Sequence, residues 1–168
     1  MLLDVAHTTQ SMLGLVTTAK SLLSPGQQVV LVFGATQGKP VSQMIDALLA
    51  LPLRCAHCVE ADAFGAHLRS VPPEDLARLL RQRSAAAAPA EPDAAEGGSA
   101  DARGGELECH VYPSGAGRNA TEAALKALWA QGTSAGGSEG TGGTEPLVVV
   151  TGSTYVVANA LQHMQSTF

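Results

Sequence analysis

Aromatic residues and charges are both scarce in this chain. Of its 168 residues, only 4% are Phe, Trp or Tyr and 15% are charged, whereas 45% are hydrophobic. The core must therefore be aliphatic, which is the composition that helices packed on a parallel sheet require. The formal net charge of −5 provides no basic surface, so we expect neither nucleic acid nor an anionic membrane as a partner.

Long apolar runs and a disulfide framework are also lacking. No stretch reaches about 18 uninterrupted apolar residues, so no membrane span is predicted. The three cysteines are an odd number, which favours a reducing compartment. Met1 leads directly into an apolar segment, with no signal or transit peptide before it. We expect a cytoplasmic protein, or a mitochondrial or plastid one if an N-terminal part is missing.

Two of the cysteines form a Cys-x-x-Cys motif, Cys55 and Cys58, inside a segment that we predict to be a strand. A redox pair of the thioredoxin type instead lies after a strand, at a helix N-terminus that lowers the thiol pKa. Zinc needs about four ligands, and only His57 and His67 are nearby in the sequence. Redox or metal chemistry is the alternative; we predict buried, inert thiols and no metal site.

Large side chains are missing from two stretches, residues 84–105 and 132–145, which consist mostly of Ala, Gly, Ser and Pro. Such a composition cannot bury enough apolar surface to offset the chain entropy lost on folding. We predict that both are disordered inserts in a single domain spanning residues 1–168. They should leave from helix ends and return to strand starts.

The rest of the chain alternates between strand-like and helix-like patterns. Continuous β-branched runs at 29–33 and 146–151 are typical of strands covered on both faces. Weaker strands are predicted at 2–5, 54–61 and 107–112, and apolar spacings of three and four between the strands indicate helices. This order predicts an α/β fold, a three-layer Rossmann-like and mostly parallel sheet of about five or six strands with helices on both faces.

Three motifs lie in loops that follow predicted strands. They read LDVAHT at 3–8, FGATQGK at 33–39 and VVVTGSTYVV at 148–157. In parallel sheets, ligands bind outside the carboxyl ends of the strands, where these loops meet. The motifs resemble D-G-A-H-N/T, F-G-A-x-x-D-K-D and V-x-V-T-G-S-L-Y/H-x-V of the C-terminal domain of folylpolyglutamate and dihydrofolate synthases, in the Mur ligase superfamily. The His-Thr pair and the Glu-Ala-Asp run at 60–62 are most similar to the plant and algal dihydrofolate synthase branch.

This resemblance implies a role in an ATP-dependent ligase that joins glutamate to a pteroate or folate. In the family, the C-terminal domain closes over ATP held by the central domain and helps to bind glutamate. By resemblance, Asp4 and Lys39 contact ATP, and His7 and Ser153 contact the glutamate. Each residue has a simpler alternative, because Asp4 and Ser153 are also good helix caps and His7 and Lys39 are also common on surfaces.

The sequence departs from the family pattern in the same loops. Val5 replaces the glycine of the first motif, and Gly38 and Pro40 replace the two aspartates that flank the lysine. No G-x-x-x-x-G-K-[ST] phosphate loop is present. Without it, phosphoryl transfer lacks electrostatic stabilisation, so we predict no catalytic residue in this chain alone.

We therefore expect a monomeric part of a ligase of folate biosynthesis and polyglutamylation, with ATP and Mg²⁺ bound mainly by a domain outside this sequence. The partners of the full-length enzyme would be ATP, glutamate and pteroate or folate. Whether the first glutamate or a later one is added depends on that other domain. Two alternatives remain: a stand-alone, non-catalytic nucleotide-binding or interaction module, and an unrelated Rossmann-like binding protein.

Overall fold

A computed structural model describes residues 1–61, 69–87, 107–113, 119–134 and 144–167. They form five strands that alternate with five helices. The strands are β1 (Leu2–Leu3), β2 (Val29–Phe33), β3 (Leu53–Val59), β4 (Glu108–Tyr112) and β5 (Leu147–Thr151). The helices are α1 (Thr9–Leu22), α2 (Val41–Leu48), α3 (Pro73–Ala87), α4 (Ala120–Ser134) and α5 (Thr154–Thr167). The predicted alternation of strands and helices is confirmed.

All the described strands join one sheet in the order β1-β5-β2-β3-β4. Every neighbouring pair is parallel, as predicted. The central strand β2 is buried at all five positions, because helices cover both faces of the sheet. β5, the last strand in the sequence, lies between the first two.

Helices pack on the two faces of the sheet as separate layers. α1, α2 and α3 pack side by side on one face, and α4 packs against α5 on the other. Alternate residues of β2 serve the two layers: Leu31 and Phe33 pack with the first, and Val32 packs with the second. The predicted three-layer, Rossmann-like arrangement with an aliphatic core is confirmed.

The start of α1 is fixed by a capping box. The amide of Ser11 donates to Thr8 Oγ1 at 3.2 Å, and the amide of Thr8 donates to Ser11 Oγ at 3.0 Å. Two amides that the helix leaves without partners are thereby satisfied. The cap places the first helix immediately after the loop that carries the first motif.

The predicted inserts lie largely outside the described residues, and their disorder stays a prediction. α3 continues to Ala87 and α4 to Ser134, so each helix extends a few residues into a predicted insert. The chain re-enters the sheet at the amino ends of β4 and β5. No helix among the described residues is long and apolar enough to cross a lipid bilayer.

Candidate functional site

The three motif loops meet at the carboxyl edge of the sheet, because β1, β5 and β2 are neighbours there. Backbone hydrogen bonds between neighbouring strands continue into these loops. The Asp4 amide donates to the carbonyl of Val150 at 3.1 Å, and the Gly34 amide donates to that of Thr151 at 3.4 Å. We call these loops, residues 4–8, 34–40 and 152–153, the carboxyl-edge site.

Asp4 follows β1 directly and is half-buried. One of its carboxylate oxygens, Oδ1, accepts a hydrogen bond from the Ala6 amide at 2.8 Å. This is a tight turn of the kind that Asp side chains stabilise. The turn leaves the second carboxylate oxygen, Oδ2, as an acceptor at the edge of the sheet.

His7 is exposed, two residues beyond Val5. Its Nδ1 lies 2.8 Å from the carbonyl oxygen of Val5, so Nδ1–H is the donor and Nε2 is left as an acceptor. Val5 is itself 46% exposed, so the side chain that stands where the family motif has glycine lies largely in solvent.

Ser153 is 5% exposed and begins the turn into α5. Its Oγ accepts from the Tyr155 amide at 3.4 Å, and its carbonyl accepts from the Val157 amide at 3.2 Å. These are the contacts of a helix cap, one of the alternatives that the sequence left open. The long Oγ contact is weak.

Gly152 explains why the third motif has a glycine before this serine. Its φ is +112°, and an added Cβ would lie 2.2 Å from the carbonyl oxygen of Gly34. Only glycine permits both that backbone conformation and that approach. The close approach brings the β5 and β2 loops of the carboxyl-edge site together.

Lys39 is exposed at the end of the β2 loop. The loop before it is anchored by two backbone bonds, from Gln37 N to Arg69 O and from Val71 N to Ala35 O, each 2.8 Å. Lys39 makes no ion pair with another described residue. α2 starts just beyond, and its N-cap, Pro40, provides no side-chain hydrogen bond.

The carboxyl-edge site thus combines an exposed imidazole and ammonium group with a half-buried carboxylate and a buried serine hydroxyl on adjacent loops. Such a set can bind a polar or anionic ligand. Among the described residues, one group of three His, Cys, Asp or Glu side chains is spaced to hold a metal, and it lies in β3 and β4 rather than in these loops.

That other group consists of Cys55, His57 and His110, and the sequence analysis did not predict it. The detectable signal was a pair of patterns, Cys-x-His and Glu-x-His, in strands that proved to be neighbours. We name the four side chains Cys55, His57, Glu108 and His110 the β3–β4 cluster. Burial, with a contribution from His110, lowers the pKa of His57 to about 4.

The predicted burial of the thiols is confirmed, because Cys55, Cys58 and Cys109 are all buried, and none of the three forms a disulfide. Cys58 lies on the opposite face of β3 from Cys55. A hydrogen bond with Cys109 and then burial raise the pKa of its thiol. Cys58 is therefore not a reactive thiolate at neutral pH.

No protein-family model matches the sequence, and no curated protein matches it. Solved structures do match. E. coli FolC in complex with DHPP and ADP aligns with a TM-score of 0.61 at 17% identity, over 98% of this chain and 28% of FolC. Mycobacterium tuberculosis folylpolyglutamate synthase complexed with ADP aligns with a TM-score of 0.55 at 20% identity, over 96% of this chain and 28% of that one.

A third match is a bifunctional folylpolyglutamate synthase/dihydrofolate synthase with Mn, AMPPNP and L-glutamate bound. Its TM-score is 0.53 at 16% identity, over 97% of this chain and 29% of the enzyme. At these identities the likeness is one of fold. The chain has the α/β fold of the FolC C-terminal domain, and it spans a little over a quarter of these enzymes' length.

Proposed function

We propose that this chain works as the C-terminal domain of an ATP-dependent ligase that joins glutamate to a pteroate or folate. The observation that supports this proposal is that two features of the chain agree. The fold of the chain matches FolC over 98% of its length, and the three family-like motifs lie in adjacent loops at the ligand-binding edge of that fold.

Asp4 and Lys39 form the nucleotide side of the proposed site. The Ala6 amide occupies Asp4 Oδ1, so Oδ2 can accept hydrogen bonds from ribose hydroxyls. Lys39 adds a positive charge beside the N-terminus of α2, whose first amides have no side-chain cap. Both features favour the phosphates of a nucleotide.

His7 and Ser153 form the glutamate side. Nδ1 of His7 bonds to the Val5 carbonyl, so Nε2 is an acceptor at the surface. The amino group of glutamate is a donor that could bind to it. Ser153 Oγ accepts from the Tyr155 amide, so its hydroxyl hydrogen can donate to a ligand carboxylate. L-glutamate is bound in one enzyme of the same fold.

Mg²⁺ and the phosphate cradle belong to another domain in this proposal. The metal would supply charge neutralisation at the transferred phosphate. Asp4 and Lys39 would bind and orient the nucleotide as this domain closes on it. The chain alone is expected to bind weakly and not to ligate.

Nucleotide titration of the 168-residue chain, followed by amide NMR, tests the proposal. We expect millimolar ADP to shift the amide resonances of residues 4–8, 38, 39 and 41, and L-glutamate to shift those of 7 and 153. Lys39→Ala should abolish the ADP shifts, and Lys20→Ala, which removes an exposed lysine from the far end of α1, should leave them intact. Shifts confined to other parts of the chain, or none, would contradict the proposal.

The size of the native protein distinguishes this role from that of a stand-alone module. An antibody against this chain should detect a species several times larger than 17.1 kDa in the source cells. That species should carry a phosphate loop and ligase activity. A native band near 17.1 kDa would favour the stand-alone nucleotide-binding module. Val5 and Pro40, where the sequence departs from the family motifs, would then be features of that module.

A further inference from the structure

Two neighbouring strands place four potential metal ligands on one face of the sheet. In the parallel register, Cys55 lies opposite Glu108 and His57 lies opposite His110. All four side chains point to the α4–α5 side, because residues two apart in a strand share a face. We propose that Cys55, His57 and His110 bind a Zn²⁺ ion, with Glu108 as the fourth ligand.

The distances are close to those that zinc requires. One ligand atom from each of Cys55, His57 and His110 lies within 4.8 Å of the others, and Cys55 Sγ is 3.8 Å from His57 Nε2. In a tetrahedral zinc site, neighbouring ligand atoms are separated by about 3.3 to 3.6 Å. A contraction of at most about 1.5 Å therefore brings these three ligand atoms to zinc-binding separations, and side-chain torsions can supply it.

His57 is already oriented as a metal-binding histidine. Its Nδ1 lies 3.1 Å from the hydroxyl of Tyr112, and its Nε2 faces Cys55. When Nδ1–H donates to the tyrosine, Nε2 carries the lone pair. Metal-binding histidines characteristically use their second nitrogen in such a hydrogen bond, which fixes both tautomer and ring.

His110 supplies the movable part of the site. Its ring stacks on that of His57 with centroids 4.7 Å apart and planes 25° from parallel, so it must rotate to direct a nitrogen at the same ion. The side chain is 33% exposed and contacts Glu108 at 3.3 Å. Rotation therefore meets little packing resistance, and the Glu108 side chain, which is 70% exposed, can turn toward the ion through its own torsions.

The protonation chemistry of His57 and Cys55 is also compatible with metal binding. Neutral imidazole is the form that coordinates, and His57 is fully buried, where a charged imidazolium is costly. The Cys55 thiol, whose pKa burial raises, loses its proton to solvent when the Zn²⁺–S bond forms. One thiolate and one carboxylate then balance the two charges of the ion.

An entry route is present as well. Cys55, Glu108 and His110 line a cavity of about 710 Å³ that also reaches Leu125 and Trp129 on α4. The ion can therefore reach the β3–β4 cluster without unfolding of the sheet. Thiolate and imidazole ligands select zinc over magnesium, so this site is separate in chemistry and place from the nucleotide site proposed above.

Cobalt(II) and zinc binding by the metal-free 168-residue chain test the proposal. We expect one Co²⁺ per chain with a thiolate-to-metal charge-transfer band, displaced by Zn²⁺ and unaffected by Mg²⁺. Loss of a side chain that hydrogen-bonds to a metal-binding residue costs about 10- to 100-fold in metal affinity. Tyr112→Phe should lower affinity within that range, and Cys55→Ala and His110→Gln should lower it by at least about 100-fold.

Cys58→Ala is the matched control, because it removes a buried thiol from the opposite face of the same strand. It should retain the cobalt spectrum. His110→Gln lies on the edge strand and should fold normally, which circular dichroism checks. Absence of Co²⁺ binding, binding without the charge-transfer band, or equal loss in the Cys55→Ala and Cys58→Ala variants would overturn the proposal.

Discussion

The carboxyl-edge site and the β3–β4 cluster are built in opposite ways. At the carboxyl edge, the contacts of Asp4 and His7 join residues two apart in the sequence, and His7 and Lys39 are exposed. In the cluster, His57 is fully buried and bonds to a tyrosine 55 residues away. Local loops can be identified from motifs, whereas a site assembled across strands depends on which strands become neighbours.

The largest effect expected at the carboxyl edge comes from Gly152→Ala. The added Cβ would meet the Gly34 carbonyl at 2.2 Å on a backbone with φ of +112°. Overpacking and backbone strain together predict a loss of about 3 kcal/mol or more in the free energy of unfolding. Chemical denaturation measures it.

Gly38→Ala is the control for that change, because Gly38 also has positive φ, +80°, but open space around it. It should cost only about 1 to 2 kcal/mol. Equal stability of the two variants would contradict the close approach of the β5 and β2 loops.

Zinc should stabilise the protein through the β3–β4 cluster. A ligand at 100 times its Kd raises the free energy of unfolding by about 2.7 kcal/mol. We expect a corresponding rise in Tm with Zn²⁺ for the wild-type chain and none for His110→Gln. An equal rise in both would place the metal elsewhere.

A smaller loss is expected from Thr8→Ala, which removes the capping box of α1. Loss of such a cap costs about 1 kcal/mol. Thr17→Ala, an exposed change in the middle of the same helix, should be neutral or slightly stabilising because alanine has the higher helix propensity. Thermal unfolding of both variants checks the difference.

Asp4→Asn should have the smallest effect on stability, and it tests most directly whether Asp4 binds the nucleotide. The amide oxygen of Asn can still accept from the Ala6 amide, so stability should change by less than about 0.5 kcal/mol. The nucleotide-dependent NMR shifts should nonetheless weaken, because the charge is lost. Unchanged shifts would mean that Asp4 only supports the turn.

Much of the fold could be predicted from local sequence. The β-branched runs of β2 and β5 and the apolar spacing of the helices identified the alternating elements, and parallel pairing followed from that alternation. The end of α3 could not be predicted, since the alanines at 85–87 are compatible with both helix and a low-complexity insert. Tertiary surroundings decide such cases.

The two sites differ in how far the sequence foretold them. The motifs identified all three loops of the carboxyl-edge site, and Gly152 has a steric reason to be there. The β3–β4 cluster was not predicted, because too few metal ligands lie near His57 in the sequence and its partner His110 comes from β4. Pairing of β3 with β4 is a non-local outcome that no spacing rule gives.

The position of β5 has a consequence for how the protein is made. β1 consists of two residues and, in the described part of the chain, pairs with β5 alone. β1 therefore leaves the ribosome before the other described strands, and it has no neighbour in the sheet until β5 has been synthesised. Asp4 and His7 can reach their final positions only then, so deletion of β5 would disorder the loop at residues 4–8, which is far from β5 in the sequence.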